Sequence, residues 1–423
     1  MDYKRPRGTV DLIDTDAKVF SKVEKILKET AEEFNISEIR TPIFESKDLY
    51  IKSVGETSDI VNKEFYDFID KGGRSLVLRP EGTAGTIRAI VENKLLKTNN
   101  FLKVYYIGSM FRYERPQSGR QRQFNQFGIE CVGNVTLYDE VDVILLAKTI
   151  LKKLKINNYK LEINNIGTNE SRNKWVDALN VYFDKHKEQL TEDSQNRINV
   201  NPLRILDDKV DGSKEFVINA PKIKEFLTED EKIYFENLKK IMDFTGIEYI
   251  ENSTLVRGLD YYNGIVFEFM SNSKILKGQS TIIGGGRYNK LIEQTGGPDV
   301  IGIGFGLGIE RIIISTLEEN PDFLDEISFD AIILPLSESS HIHAMKILND
   351  LRKNDLKAII NNQTYKLSTH FKFADKYKSN NIIIIGDEEL KNNNVIIKNQ
   401  IDKTETRIEF DKIVDFLKLE SSN

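Results

Sequence analysis

Arg112, Arg115, Arg120 and Arg122 crowd into one short segment, FRYERPQSGRQRQF, with no acid after Glu114. A guanidinium is planar, permanently charged and suited to bidentate contact with phosphate. Such a cluster can hold a polyphosphate, or it can be a charged loop in solvent. Arg112 tips the balance, because it falls within a strand pattern, where a charge needs a partner.

The segment GIGFGLGIER (302–311) offers a second cation, Arg311, one turn into the helix that its glycine-rich strand leads into. Alternating glycines leave one strand face without side chains, so a flat ligand can lie against the backbone. Close strand–helix packing with Arg311 in solvent explains the same spacing. In VRGLDYYNGIVFE, Arg257 precedes a glycine, an acid and two tyrosines. That is a grip for a polar aromatic ligand, or a turn with core tyrosines. GGGRYNKL (284–291) lacks the spacing and the Lys-Ser or Lys-Thr ending of a phosphate loop. Its glycines are expected to let a backbone approach a ligand. LRPEGTAGTIR (78–88) puts Glu81 at a helix start, where an acid also suits the helix dipole. All four histidines (186, 341, 343, 370) lie outside these motifs, which argues against a histidine nucleophile or metal centre among them.

These residues need elements to hold them. Residues 101–113 are β-rich and end near Arg112; after the arginine loop, QFNQFGIECVG reads as the returning strand of a hairpin. Gln126, Gly128 and Glu130 share one face and Phe127, Ile129 and Cys131 the other. Residues 17–34 have the apolar spacing of an amphipathic helix that stops at Asn35, and EIRTPIFE reads as a short extended segment around Pro42. Residues about 170–240 are polar and mainly helical, as in an inserted subdomain. Strands resume at 265–269 and 281–283, and 302–315 runs from strand into helix. A linker is expected near 320–330. Beyond it AIILPL, KAII and NIIIIG alternate with helices around 340–353 and 366–378, an α/β domain.

The 423 residues suggest two or three domains, and 39% hydrophobic with 30% charged residues is the balance of a soluble globular chain. One cysteine, Cys131, excludes an intrachain disulfide and a cysteine-rich zinc site, and a reducing compartment is expected. No signal peptide or membrane-spanning run is apparent. The net charge of −6 does not favour nucleic acid, yet permits a local basic surface.

Taken together and in order, the motifs resemble class II aminoacyl-tRNA synthetases. EIRTPIFE is similar to motif 1, FRYERP…QFGIE to motif 2 and GFGLGIER to motif 3. RGLDYY and GGGRY resemble the signatures of bacterial-type histidyl-tRNA synthetases, and the likeness runs from RPRGTVD (5–11) to VIIKN (395–399), with NPLRILDDK (201–209) like that family's insertion. The resemblance implies an α/β (α+β) fold: a class II antiparallel-sheet catalytic domain over 1–325, carrying the helical insertion, and an anticodon-binding α/β domain over 326–423. It implies ATP-dependent activation of L-histidine to histidyl-adenylate and transfer to the 3′ end of tRNA(His). By motif, Arg112 matches the arginine on the α-phosphate, Arg311 that on the γ-phosphate, and Arg120 and Glu114 belong to the ATP site. Arg257 matches the arginine that stands where other class II enzymes place a metal ion. Glu81, Thr83 and Gln126 match the groups around the substrate amino group, Glu130 and Tyr262 the pair that brackets the imidazole, and Tyr288 lies beside them. Arg115 and Gln117 fall where the family reads the extra 5′ nucleotide of its tRNA. ATP with Mg2+ as the substrate complex, no structural zinc, a cytoplasmic homodimer and no membrane partner complete the expectation. The competing expectation is an inactive regulatory paralogue of histidine biosynthesis; such paralogues typically lack the C-terminal domain and the phosphate-binding arginines, both retained in this sequence.

Overall fold

The computed structural model describes residues 3–421 except 56, 57, 59, 207, 209, 258–260, 277–279 and 325–328. Contacts divide the chain into two compact units, Met1–Phe323 and Leu324–Asn423. The expected boundary at 325/326 lies outside the described residues.

The first unit contains β1 (Ser37–Glu38), β2 (Phe44–Ser46), β3 (Asp67–Ile69), β4 (Ser75–Leu78), β5 (Phe101–Phe111), β6 (Gln123–Gly133), β7 (Tyr159–Asn165), β8 (Ile250–Glu251), β9 (Ile265–Ser271), β10 (Thr281–Tyr288) and β11 (Ile301–Gly308). Eight of them form one sheet in the order β1-β5-β6-β11-β10-β9-β7-β8, and β2-β4-β3 form a small second sheet. The edge pairs β1–β5 and β7–β8 are parallel and the rest of the large sheet is antiparallel.

Register decides what shares a face. Glu130 lies opposite both Val104 and Gly304, and Gly308 opposite Gln126. Gly284 lies opposite Glu268 and Gly306, and Gly286 opposite Gly304. Because side chains alternate along a strand, the even-numbered residues of these central strands all face one side. That side carries Tyr106, Gln126, Glu130, Glu268, Tyr288 and a column of glycines. Farther along the same face, Val104, Val132 and Val266 pack with Ile87 and Ile90 of the helix Thr83–Glu92 and with Leu291 and Ile292.

The helix expected over 17–34 spans Thr15–Glu33, burying Val19, Val23, Leu27 and Ala31; Asn35 just beyond it has φ 55°, a left-handed turn that ends it. EIRTPIFE was expected as one extended segment. It splits into β1 and β2, in different sheets on either side of Pro42, whose missing N–H interrupts pairing. Between β7 and β8 the chain is helical, with Asn169–Lys185 and Glu229–Phe244 the longest pieces. This segment builds a core of its own around Trp175, Leu179, Phe183, Ile205 and Ile223.

The second unit contains β12 (Phe329–Pro335), β13 (Ala358–Ile360), β14 (Ser379–Ile385), β15 (Asn394–Asn399) and β16 (Glu405–Glu409) in the order β13-β12-β14-β15-β16. β12, β13 and β14 run parallel, while β15 and β16 are antiparallel additions that the sequence reading did not separate.

Candidate active site

Glycines decide how side chains lie over the large sheet. A Cβ on Gly302 would fall 2.0 Å from the Tyr288 ring, on Gly304 2.2 Å from Glu130 Oε2, on Gly306 2.5 Å from Gln126 Nε2, and on Gly284 2.4 Å from the Arg257 guanidinium. The expectation of bare backbone for a ligand is therefore corrected in part. These glycines mainly make room for polar side chains reaching across from neighbouring residues, though Gly284, Gly306 and Gly308 still border the cleft.

One cluster is carboxylate and phenol. Glu81, buried, accepts from the N–H groups of Thr83 and Ala84 at 2.7 and 2.8 Å, so it caps the helix Thr83–Glu92. The helix-dipole explanation of this acid is thus realised. Burial pushes its carboxyl up, against those helix N–H bonds and the nearby Arg112. Gln126 Oε1 accepts from Gly82 N at 3.1 Å, tying β6 to the same turn. Tyr288 donates to Glu130 Oε2 at 2.5 Å, while Glu130 Oε1 is buried with no partner among the described residues. Burial raises the Glu130 carboxyl to about 8, although the Tyr288 hydroxyl and the nearby Thr83 side chain favour the charged form. Tyr262 is buried beside Tyr261, ring centroids 4.6 Å apart, and Arg257 lies over it at 5.7 Å.

The other cluster is cationic and lines a cleft of about 170 Å³ with Arg112, Arg120, Arg257, Arg311, Glu114, Gln126 and Glu310 among its walls. Arg112 follows β5 directly; its Nε donates to Pro80 O at 2.8 Å and its guanidinium lies over Phe124. Arg311 donates to Gly119 O at 2.9 Å and to Thr281 O at 2.8 Å. Burial, then Arg120 and Arg112, push Arg311 down to about 10. Arg120 pairs with Glu114 and approaches Glu64 at 3.7 Å. Arg257 pairs with Glu268. Burial opposes its charge, yet Glu268 and the two tyrosines hold it above the usual arginine range. Guanidinia that disfavour one another's charge in a half-buried cleft make a site for a polyanion.

Arg115 and Gln117 stand apart, exposed near the tip of the β5–β6 loop, where Gln117 and Arg120 exchange backbone bonds of 3.0 and 2.9 Å. Gly258, Leu259 and Asp260 of RGLDYY lie outside the described residues. Sequence reasoning missed Glu268, Glu310, Tyr106 and Tyr261. Glu268 carried a signal, a lone acid in the apolar run of β9; its partner Thr281, which donates to it at 2.7 Å, carried none. Glu310 accepts from the backbone and side-chain amides of Asn125.

A family model described as histidyl-tRNA synthetase matches residues 8–312. This chain belongs to the histidyl-tRNA synthetase family. A second model, an anticodon binding domain, matches residues 330–420. The chain is 53% identical over 402 residues to the histidine–tRNA ligase of Malacoplasma penetrans, covering 95% of this chain and 94% of that one. It is 48% identical to the histidine–tRNA ligase of Ureaplasma urealyticum, covering 97% and 98%. Its structure resembles that of apo S. aureus histidyl-tRNA synthetase, with a TM-score of 0.83, 38% identity, and 99% and 100% of the two chains covered. A Bacillus halodurans protein described as an ATP phosphoribosyltransferase regulatory subunit/histidyl-tRNA synthetase shares the fold, with a TM-score of 0.66 at 20% identity over 91% and 99% of the chains. The fold is that of a class II synthetase, an antiparallel-rich sheet domain followed by an α/β anticodon-binding domain.

Proposed function

We propose that this chain is a histidine–tRNA ligase, which uses ATP to activate L-histidine and esterifies it to tRNA(His). Family membership supports the reaction class. The observation that carries the assignment of the site is the pairing of two unlike clusters on one sheet face: a buried carboxylate with a free oxygen, and a cleft walled by arginines. Glu130 Oε1 is the acceptor for an imidazole N–H, with Tyr262 on the ring's other side and Tyr288 holding the second oxygen. Glu81, Thr83 and Gln126 receive the α-amino group.

In the first step the histidine carboxylate attacks the α-phosphorus in line, forming the acyl-phosphate bond as the bond to pyrophosphate breaks. This needs positioning and charge stabilisation rather than a protein nucleophile. Arg112 and Arg257 take the charge at the α-phosphate; Arg311 and Arg120 hold the outer phosphates, with Glu114 orienting Arg120. Mg2+ enters with ATP as part of the substrate. In the second step a hydroxyl of the terminal ribose attacks the acyl carbon and AMP leaves, its phosphate taking the proton. Arg115 and Gln117 contact the acceptor end of the tRNA. Residues 1–325 form the catalytic domain, with its helical insertion over about 170–240, and 326–423 the anticodon-binding domain. The chain works as a homodimer in the cytoplasm. No helix among the described residues is long and apolar enough to cross a membrane. The regulatory reading is set aside because curated relatives at 41–53% identity over nearly the whole chain are histidine–tRNA ligases.

ATP–pyrophosphate exchange with each standard amino acid tests the proposal. Exchange with histidine alone is expected. No exchange with histidine would overturn it.

A further inference from the structure

Arg287 and Tyr288 are neighbours on β10 and face opposite ways. Tyr288 points to the cleft side, where it donates to Glu130. Arg287 emerges on the other side and meets an acid that the two steps above do not use. Glu140, from the helix Leu137–Lys153, is 1% exposed; its Oε1 lies 3.4 Å from Arg287 Nη1 and its Oε2 accepts from the Tyr234 hydroxyl. Tyr234 belongs to the helix Glu229–Phe244, and the Arg287 guanidinium lies over its ring at 5.4 Å. Burial pushes the Glu140 carboxyl up to about 7, against the pull of Arg287. A buried ion pair is a poor source of stability, because desolvation offsets most of the attraction. Apolar side chains of similar volume often serve stability as well, whereas a planar fork fixes a direction.

The direction matters because of what Arg287 adjoins. Its carbonyl accepts from Asn263 N at 2.9 Å, which ties β10 to the residue after Tyr262. Its Nε donates to Asn289 Oδ1 at 3.2 Å, which ties it to the residue after Tyr288. Its stem fills the space beside Gly264, where φ is +65° and a Cβ would lie 3.2 Å from Arg287 Cδ. The same turn is held from its far side: Ile166 N donates to Gly264 O and Gly264 N to Gly167 O, both at 2.8 Å, and Arg172 donates to Tyr262 O at 3.3 Å. We propose that Arg287 is a positioning residue for the histidine pocket: clamped by Glu140 and Tyr234 behind the sheet, it fixes the backbone that carries Tyr262 and Tyr288 on the front. This rests on the ligase reading, in which Tyr262 brackets the imidazole and Tyr288 holds Glu130.

The test compares full-length chains carrying Arg287→Met, Arg287→Lys, Glu140→Gln and the pair Arg287→Met/Glu140→Gln. Each is assayed for the KM of histidine and of ATP in pyrophosphate exchange, and for its thermal midpoint. Misplacing a positioned group by about 1 Å can cost about 10²-fold, so a partial shift of the two tyrosines in Arg287→Met should raise the KM for histidine about tenfold and leave that for ATP within about twofold. Arg287→Lys keeps a cation for Glu140 and should recover part of the loss. Because Arg287 and Glu140 act as one unit, the double variant should be no worse than Arg287→Met. It also removes the unpaired buried acid, and so carries the test if Arg287→Met folds poorly. A parental KM for histidine in the folded variant would overturn the proposal. So would an equal rise for both substrates, the mark of a merely structural role. Absence of histidine-dependent exchange in the parent would instead overturn the ligase reading, and the proposal with it.

Discussion

The face of the large sheet around the cleft and the parallel core of the second unit treat buried polarity in opposite ways. Around the cleft the side chains are carboxylates, guanidinia and phenols, and the strand positions between them are glycine. In the second unit Ala331–Leu334 of β12 are buried on both faces, Ala331 and Ile333 in one aliphatic cluster, Ile332 and Leu334 in another. Its few buried polar groups bond to main chain: His370 Nε2 lies 2.6 Å from Pro335 O, Asn381 donates to Asp330 O at 3.2 Å, and Glu389 accepts from Gly386 N at 3.0 Å. The first region buries ionisable groups, and burial pushes them toward their neutral forms, Glu130 up to about 8 and Arg311 down to about 10. That arrangement costs stability and leaves groups ready for a ligand. The second region fills its interior with apolar packing.

Substitutions should separate the two along those lines. The largest expected effect on activity is at Arg257, bound to Glu268 in a space that Gly284 keeps open. Arg257→Lys loses the planar fork, so pyrophosphate exchange should fall about 10²–10³-fold while circular dichroism and thermal midpoint stay close to the parent. Near-parental exchange would remove Arg257 from the chemistry. The converse is expected at fully buried Ile333. Ile333→Ala should cost about 2–5 kcal/mol in denaturant unfolding of the second unit, with exchange retained in native buffer. Exchange lost along with stability would mean that the contrast between the regions is false. The smallest effect belongs to the loop tip. Because Arg115 and Gln117 are exposed and make no cleft wall, Arg115→Ala and Gln117→Ala should leave exchange intact and lower transfer to tRNA several-fold. A tRNA lacking the extra 5′ nucleotide should show little further loss in these variants. If parent and variants lose the same factor on that tRNA, the two residues do not read it.

The contrast also explains what the sequence made legible. Alternation in QFNQFGIECVG placed Gln126 and Glu130 on one face correctly, because period-two patterning survives folding whatever the neighbours. Glycine spacing in 302–308 marked the place but not the reason: bare backbone and room for a neighbour's side chain look alike until register shows that Gly304 lies opposite Glu130. Glu268 was missed because its partner Arg257 comes from outside the strand pairing, and only the fold brings them together. In the second unit the apolar runs revealed β12 and β14, whereas β16, exposed along most of its length, has no apolar run to show. EIRTPIFE was legible as extended but not as two strands, since Pro42 separates pieces that pair in different sheets.

The central claim is that Glu130 presents a free carboxylate oxygen for an imidazole. A carboxyl raised by burial keeps its proton in the folded chain at pH values where the unfolded chain has lost it. Its contribution to stability therefore falls as pH rises from the usual carboxylate range through about 8. Glu130→Gln removes that dependence, so without substrate the variant's thermal midpoint should gain on the parent's as pH rises through that window. The direct test is the KM for each substrate in pyrophosphate exchange. Glu130→Gln should raise the KM for histidine by roughly 10–100-fold, because an imidazole N–H donated on binding favours the charged carboxylate and an amide cannot take that form, while the KM for ATP changes little. An equal rise for both substrates would contradict the account, because it would make Glu130 a support of the hairpin rather than the group that reads the ring.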